Sequence, residues 1–158
     1  MIGTPSLLKP YDEYYSGDPA FAQAPPLASR EQLAEHEHRV KVARETGDWS
    51  PLAVEGVQPT KFTMKPLRGQ QYRRIVDDLL ASRIGRGEAN SLAFRCAVLE
   101  IVNFGAFEMK FVETEKWGKI ASVDVSNAID AIDLRIVTEL GEEALRRAQD
   151  ISPKSSRD

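Results

Sequence analysis

The sequence predicts a mainly α-helical (α+β) fold: a compact helical domain with one short edge strand and a small β-hairpin, preceded by an extended N-terminal arm. Apolar residues recur at helical spacing after residue 68 and again after residue 128, whereas alternation with a period of two is confined to short stretches. Five prolines interrupt the first 28 residues, so neither a helix nor a strand can extend far there. The length of 158 residues suits one domain with an appendage.

The composition is that of an ordinary soluble protein, with 42% hydrophobic and 28% charged residues. The net charge of −3 gives no overall attraction to nucleic acid or to anionic lipid. Because Cys96 is the single cysteine, an intramolecular disulfide is excluded and a cysteine-based zinc site is disfavoured. No apolar stretch is long enough to span a bilayer, and the N-terminus lacks the pattern of a signal peptide. We therefore expect a soluble intracellular protein.

Residues 1–28 form the predicted arm. It is too aromatic for an inert linker, yet it is too short and too often broken by proline to bury its rings against itself. We expect the arm to lie on the body of the protein or on a partner, and its removal to leave the thermal transition of the body nearly unchanged. Its candidate partner contacts are Tyr11, Tyr14, Tyr15 and Phe21.

Residues 29–58 predict a solvated helix followed by a linker loop. Ser29 and Gln32 have the spacing of a capping box, in which each side chain bonds the other residue's backbone N–H. Apolar positions are sparse along residues 29–46, so this helix gains little from burial. Gly47 is expected to end the helix, and Trp49 to anchor the following loop to the body.

Residues 59–151 form the predicted core domain, which begins with a strand over residues 61–67. Pro66 lacks a backbone donor, so this strand is expected to be short or to lie at a sheet edge. A helix starting at residues 68–70 follows. Residues 83–88 are expected to end this helix, with Gly85 as its left-handed cap. Its core-facing stripe comprises Tyr72, Ile75, Val76, Leu79 and Leu80.

The remainder of the core domain is expected to hold a buried central helix, a hairpin and a closing helical segment. Residues 88–104, "EANSLAFRCAVLEIVNF", are apolar on nearly all sides, and a hairpin turn is expected at residues 116–119. The closing segment carries a stripe of Ile129, Ile132, Ile136 and Leu140. Gly141 either divides this segment into two helices or allows another backbone to pack closely. Residues 152–158 are a polar tail.

The stretch "PTKFTMKPLRGQQYRRIVDDLL" has the order strand, glycine, helix, which is also that of many phosphate sites. Gly69 stands alone and no Gly-Lys-Ser/Thr follows, so converging backbone donors are missing and a fold element is favoured. Arg68, Arg73 and Arg74 remain candidate contacts for an anion or nucleic acid. Asp77 and Asp78 interrupt this basic cluster, which disfavours nucleic-acid binding.

No catalytic or metal-binding constellation emerges from the sequence, and no cofactor is expected. His36 and His38 point to different sides of a helix and cannot grip one metal as an i,i+4 pair does. Asp130 and Asp133 share a helix face but flank an apolar stripe, so a solvated polar face explains them. Cys96 lies in the most apolar stretch, where a thiol packs as a small hydrophobe. We therefore expect a protein that is not an enzyme.

Two segments resemble a known family. The stretch "QPTKFTMKPLRGQQYRRIVDDLL" is similar to the strand-then-helix opening of tail assembly chaperones of siphophages and of related small phage morphogenesis proteins. The segment "AFRCAVLEIVNF" at residues 93–104 looks like the run that follows in such proteins, as do the closing acidic helix and Ser-Pro tail. The resemblance extends over about residues 57–155.

The resemblance implies a non-enzymatic function in virion assembly. Such chaperones coat the tape-measure protein, keep its apolar helices soluble and recruit tail-tube subunits in the host cytoplasm. That role needs an exposed groove or stripe for another helix, and Val137, Ala144 and Leu145 are the candidates on the closing segment. One alternative is a structural component of head, neck or tail whose arm binds neighbouring subunits, including further copies of this chain. A second is a small nucleic-acid-binding regulator that uses the arginine cluster.

Overall fold

The computed structural model describes residues 9–104, 109–122 and 134–151. The mainly α (α+β) fold class is confirmed, because four helices and two small antiparallel sheets make up these residues. In chain order the elements are β1 (Tyr11–Glu13), α1 (Arg30–Thr46), β2 (Lys61–Met64), α2 (Gly69–Leu80), α3 (Arg86–Ala97), β3 (Val98–Val102), β4 (Phe111–Thr114), β5 (Gly118–Ala121) and α4 (Leu134–Ile151).

Strand β2 is the central strand of a three-stranded sheet with the order β1-β2-β3, and both pairings are antiparallel. The prediction of an edge strand is therefore wrong, although the strand is short. Pro66 does not interfere, since β2 ends at Met64 and the next donor, the N–H of Lys65, bonds the carbonyl of Ala97. The missing donor of Pro66 thus falls outside the ladder.

The N-terminal region packs on the body, which is one of the two places predicted for it. It contributes a strand of three residues, in keeping with the expectation that no strand extends far there: Tyr11 pairs with Met64 and Glu13 with Phe62 in the sheet. Further along, Phe21 is buried and forms an isolated bridge with Ala53. The N-terminal region therefore contributes to the core from residue 11 onward, and residues 1–8 lie outside the described part of the chain.

Helix α1 forms as predicted. Ser29 and Gln32 make both hydrogen bonds of the capping box, and Gly47 ends the helix with φ of 78°, in the left-handed region. Ala43 is the buried residue of this helix, so the prediction of a solvated helix is confirmed. Trp49 is buried and packs at 4.8 Å from the ring of Phe21, so it anchors the following loop to the N-terminal region and α1 rather than to the core domain.

Helix α2 starts within the predicted range, but the predicted role of Gly85 is wrong. The helix ends at Leu80 with Ala81 as its C-cap, and Ser82 adopts the left-handed conformation with φ of 58°. Gly85 has φ of −90° and is instead the N-cap of α3. Leu80 is 79% exposed although the pattern assigns it to the core-facing stripe.

The predicted helix over residues 88–104 ends early. Helix α3 stops at Ala97, and the next five residues form β3, in which Ile101 lies opposite Phe62. The cause is tertiary: β-branched side chains suit a pleated strand, and β2 offers an unpaired edge that a continued helix would leave unsatisfied. The helical part is buried as predicted, since Ala93, Phe94 and Ala97 are fully inaccessible to solvent.

The predicted hairpin is confirmed. Strands β4 and β5 pair antiparallel, with Thr114 opposite Gly118, and the intervening turn contains Trp117. Gly118 has φ of 78°, a conformation in which a β-carbon would be strained. Buried Ile120 of β5 joins the main core beneath α3.

Helix α4 closes the core against α3, and Gly141 lies inside it rather than at a break. A β-carbon on Gly141 would collide with the backbone carbonyl of Asn90, which confirms close backbone packing as the function of this glycine. The main core is centred on Phe62, Ile75, Phe94 and Leu140, with the rings of Phe62 and Phe94 in an edge contact at 6.0 Å. The predicted stripe residues Ile129 and Ile132, the aspartates at 130 and 133 and the tail at 152–158 lie outside the described residues.

Candidate functional site

An open groove of about 460 Å³ lies between α2 and α4, and we refer to it as the α2–α4 groove. Its apolar lining comes from one stripe of α2 and one residue of α4. Ile75 is buried at the bottom, whereas the other apolar side chains are half-buried and reachable from solvent. The apolar lining residues are Tyr72, Ile75, Val76, Leu79 and Leu145.

The sequence explains why the groove forms here. The α2 residues lie at i, i+3, i+4 and i+7, which places them on one face of the helix. Helices α3 and α4 approach closely where Gly141 meets Asn90, and α3 contributes buried Asn90 and exposed Arg86 to the lining. The apolar stripe of α2 is therefore only partly covered by α4.

Charged side chains of α1 and α4 also line the groove, and most of them are paired. Arg44 of α1 bonds Glu139 at 2.6 Å. Glu143 accepts hydrogen bonds from Arg146 at 2.7 Å and from Arg147 at 3.0 Å. These bonds hold the charged side chains in fixed positions along the wall of the groove.

A buried carboxylate lies behind this wall. Glu13 is 1% exposed, and its Oε1 accepts hydrogen bonds from Arg44 Nε at 3.1 Å and from the N–H of Tyr14 at 3.2 Å. Its Oε2 has no hydrogen-bond partner, and the nearest cation is Arg147 at 3.7 Å. Burial raises the pKa of Glu13, although Arg44 opposes the increase. The carboxylate is thus tied to the fold but incompletely satisfied.

Arg44 connects the N-terminal region to the groove. Burial by itself would lower the pKa of Arg44, but Glu13 and Glu139 outweigh it and raise the pKa, so the guanidinium stays charged. Glu139 also accepts bonds from the N–H and hydroxyl of Ser16, at 2.9 and 2.8 Å. Residues 13–16 are therefore held against the wall of the groove by hydrogen bonds to Arg44 and Glu139.

A second cavity of about 440 Å³ shares Glu139 and Glu142 with the α2–α4 groove and extends it along α4. It is lined by Tyr15 and by Leu134, whose side chain is 71% exposed. From residue 134 to residue 149 a helix rises by about 22 Å. The accessible surface therefore follows α4 for about four turns.

Some of the predicted partner-binding residues line the groove, whereas others are buried in the core. Leu145 lines the α2–α4 groove and Tyr15 lines its extension. The prediction that Val137 and Ala144 form an exposed stripe is wrong, because they are 5% and 2% exposed and belong to the main core. Val137 and Ala144 lie on the face of α4 that packs in the main core, whereas Leu145 lines the groove.

The other predicted aromatic contacts are used inside the protein. Tyr14 and Phe21 pack in an edge contact with ring centroids 5.7 Å apart, beside Trp49. Arg147 lies over the ring of Tyr11 at 3.8 Å, in a cation–π arrangement. These three aromatic residues therefore stabilise the N-terminal region on the body.

The three candidate anion contacts do not converge on the groove. Arg68 is exposed at the start of α2 and donates to the carbonyl of Trp117 at 3.4 Å. Arg73 is exposed and Arg74 is half-buried, and neither lines the α2–α4 groove. None of the three arginines therefore adds a cation to the α2–α4 groove.

Sequence reasoning missed the polar part of the site. The capping box and the apolar stripe of α2 can be recognised from residues close together in the sequence. Glu13 and Arg44 are 31 residues apart, so no local pattern predicts their contact. Asn90 likewise falls within an apolar run, where its position at the groove has no periodic signal. The apolar positions of α2 were the one available indication of the groove.

Comparisons with protein families, with curated proteins and with solved structures find no match.

Within residues 9–104, 109–122 and 134–151, no helix is long and apolar enough to cross a membrane. The same residues contain no group of three or more side chains placed to hold a metal ion. Cys96 is buried, and burial raises the pKa of its thiol to about 11, so the nucleophilic thiolate is disfavoured.

Proposed function

We propose that the protein is a non-enzymatic assembly protein that binds an amphipathic helix of a partner in the α2–α4 groove. The observation that carries this proposal is the groove itself: an open groove between two helices, with the apolar stripe of α2 on one side and charged side chains of α1 and α4 on the other. An amphipathic helix docks into such a groove by its apolar face. Packed helices lie about 8–10 Å apart, so a docked helix would lie alongside α2 and α4 as a third member of the layer.

The particular function proposed is that of a tail assembly chaperone of a tailed phage. The resemblance of residues 57–155 to that family supports it, and the partner would be the tape-measure protein, with tail-tube subunits recruited to the complex. The continuous surface along α4 suits this role, since a tape-measure protein presents long apolar helices that need covering before assembly. The protein would then act in the host cytoplasm and be absent from the finished particle.

The two alternatives draw less support from the described residues. A structural virion protein that reaches neighbours by its arm would need the arm aromatics free, whereas Phe21 is buried and Tyr11 lies under Arg147. A nucleic-acid-binding regulator would need a continuous basic surface. Among the arginines of that region, Arg83 is neutralised by Asp78 at 2.7 Å.

Coexpression with a tape-measure protein, the partner that the proposal names, tests it. Leu145→Glu places a charge in the groove, so we expect it to leave the tape-measure protein insoluble, whereas the wild-type chain keeps it in solution. Leu80→Glu is the matched control, because Leu80 is 79% exposed on α2 and does not line the groove. Equal solubilisation by the wild-type chain and Leu145→Glu would contradict docking in the groove.

Mass spectrometry of purified particles separates a chaperone, which should be absent, from a structural component.

A further inference from the structure

Asn90 presents a buried amide without a partner to the α2–α4 groove. Its side chain is 3% exposed and lines the groove, yet it makes no hydrogen bond to any of the residues that the structure describes. Other buried polar side chains differ in this respect. Gln71 bonds the carbonyl of Trp117 at 2.7 Å, and Asp78 bonds Arg83 at 2.7 Å. Among the described residues, the fully buried side-chain atom without a hydrogen-bond partner is Oε2 of Glu13, so the amide of Asn90 keeps some contact with the open groove. The amide is therefore accessible to a ligand in the groove and has no partner among the described residues to compete for it.

Arg86 lies one helical turn before Asn90, on the same side of α3, and it also lines the groove. Within the described part of the chain it has neither an ion-pair partner nor a hydrogen-bond partner for its guanidinium. This distinguishes it from Arg44 and Arg146, the other two arginines of the groove, which are held by glutamates. Arg86 occupies the first turn of α3, where the helix dipole adds to the positive potential.

We propose that Arg86 and Asn90 together bind the carboxylate of a single Asp or Glu that lies within the apolar face of the partner helix. The inference rests on the proposed function and deepens it by naming the chemistry of the partner. The Nδ2–H of Asn90 donates to one carboxylate oxygen, and the guanidinium of Arg86 donates to the other. The apolar side chains on either side of that Asp or Glu pack on Tyr72, Val76 and Leu79.

The charges of the groove favour one carboxylate over a polyanion. Glu139 and Glu143 neutralise Arg44 and Arg146, so Arg86 is the cation of the lining that has no ion pair among the described residues. Glu142 adds a negative charge to the lining, so the groove offers no excess of positive charge to an extended polyanion such as a nucleic-acid backbone. A helix with one acidic residue in an apolar stripe matches Asn90 and Arg86 alone.

Three synthetic helical peptides test the inference. They share one amphipathic sequence and differ at a single central position of the apolar face, which is Glu, Gln or Leu. Binding is followed by NMR of the methyl groups of Ile75, Val76, Leu79 and Leu145, which report occupancy of the groove itself. We expect the Glu peptide to bind the wild-type protein about tenfold more tightly than the Leu peptide, as one charge-assisted hydrogen bond provides.

Variants of the protein test whether Asn90 and Arg86 cause the preference for the Glu peptide. Asn90→Leu should reverse it, so that the Leu peptide binds more tightly than the Glu peptide. Arg86→Glu should weaken the Glu peptide about tenfold or more and leave the Leu peptide unchanged. The matched control is Arg73→Glu, since Arg73 is exposed on α2 outside the groove and its replacement should change neither affinity.

Thermal unfolding supplies an independent readout. If the amide of Asn90 serves a ligand, Asn90→Leu should raise the Tm of the free protein by about 2–4 °C, because an unpaired polar group is replaced by an apolar one. A lower Tm for Asn90→Leu would show that the amide stabilises the fold and would overturn the inference.

The outcomes separate the inference from the proposed function. If the three peptides shift the groove methyls with equal affinity, the groove binds helices but the carboxylate preference is wrong. If none of them shifts these methyls, docking of a helix in the groove is wrong as well. If Arg86→Glu leaves binding of the Glu peptide unchanged, Arg86 is not a ligand of the carboxylate and the inference fails.

Discussion

Gly141 of α4 lies directly against the backbone carbonyl of Asn90 in α3, with no room for a β-carbon between the two helices. A Gly141→Ala substitution must therefore push α3 and α4 apart or bend one of them. Overpacking of this kind costs about 1–3 kcal/mol or more, while the higher helix propensity of alanine returns about 1 kcal/mol. We expect a net loss of about 2 kcal/mol in the free energy of unfolding, measured by urea denaturation.

Gly87→Ala is the matched control for this substitution. Gly87 lies in the first turn of α3, and a β-carbon there would meet no atom within 4 Å. The same chemical change should then be neutral or raise the free energy of unfolding by about 0.4–1 kcal/mol. Equal effects of the two substitutions would contradict a specific contact at Gly141.

Glu13 makes stability depend on pH in a direction that its buried position determines. Burial raises its pKa above the ordinary value of 4.5, so the folded protein holds this proton more tightly than the unfolded chain does. The contribution of Glu13 to stability is therefore largest below pH 4.5 and falls as the pH rises through the raised pKa. Glu13→Gln keeps an oxygen for Arg44 and cannot ionise, so it does not undergo this loss.

We therefore expect the free energy of unfolding of Glu13→Gln, relative to the wild-type protein, to increase between about pH 4 and pH 8. Urea denaturation of the two proteins at several pH values measures this difference. A matched control is Glu113→Gln in β4, because Glu113 is exposed and makes no ion pair with the described residues. A difference for Glu13→Gln that is constant or decreases with rising pH would contradict the direction of the pKa shift.

Phe21 links the N-terminal region to α1 and to the loop that follows it. Its side chain is 4% exposed and packs on Trp49 and Tyr14. Phe21→Ala should lower the free energy of unfolding by about 3 kcal/mol, at the lower end of the range for buried aromatic residues. Leu27→Ala, in the same region, should change it by no more than about 0.5 kcal/mol because Leu27 is 97% exposed.

Thermal unfolding of a chain without residues 1–28 extends this test. The sequence predicts that this chain keeps the transition of the body nearly unchanged, whereas the packing of Phe21 and the pairing of β1 with β2 predict a clearly lower Tm. An unchanged Tm, together with a small effect of Phe21→Ala, would show that the N-terminal region is an accessory to the core.

Local patterns in the sequence were sufficient for helix α1 and for the hairpin. Ser29, Gln32 and Gly47 delimit α1 by chemistry within a few residues, and Gly118 marks its turn in the same way. Strand β3 was missed because its residues continue an apolar run from α3, and only pairing with β2 decides that they are extended. Length and apolarity cannot separate a long buried helix from a helix followed by a buried strand.

The candidate site was predictable only in its apolar part. The stripe of α2 follows from periodicity, but which stripe of α4 stays accessible depends on where Gly141 allows α3 to approach. The contacts of the charged residues could not be predicted from local patterns, because Arg44 and Glu139 are 95 positions apart in the chain. Long-range pairs of this kind are determined by the tertiary fold and have no spacing rule.

Arg44 compensates the buried charge of Glu13, so its loss should be partly repaired by a second substitution. Arg44→Met leaves Glu13 buried with Arg147 as its nearest cation at 3.7 Å, and we expect a loss of about 3 kcal/mol in the free energy of unfolding. Adding Glu13→Gln removes the uncompensated charge, so the double variant should be more stable than Arg44→Met by at least about 1 kcal/mol. Urea denaturation of the wild-type protein, both single variants and the double variant at pH 7 gives the coupling energy. A double variant whose loss equals the sum of the single effects would show that Glu13 and Arg44 act independently, contrary to their contact at 3.1 Å.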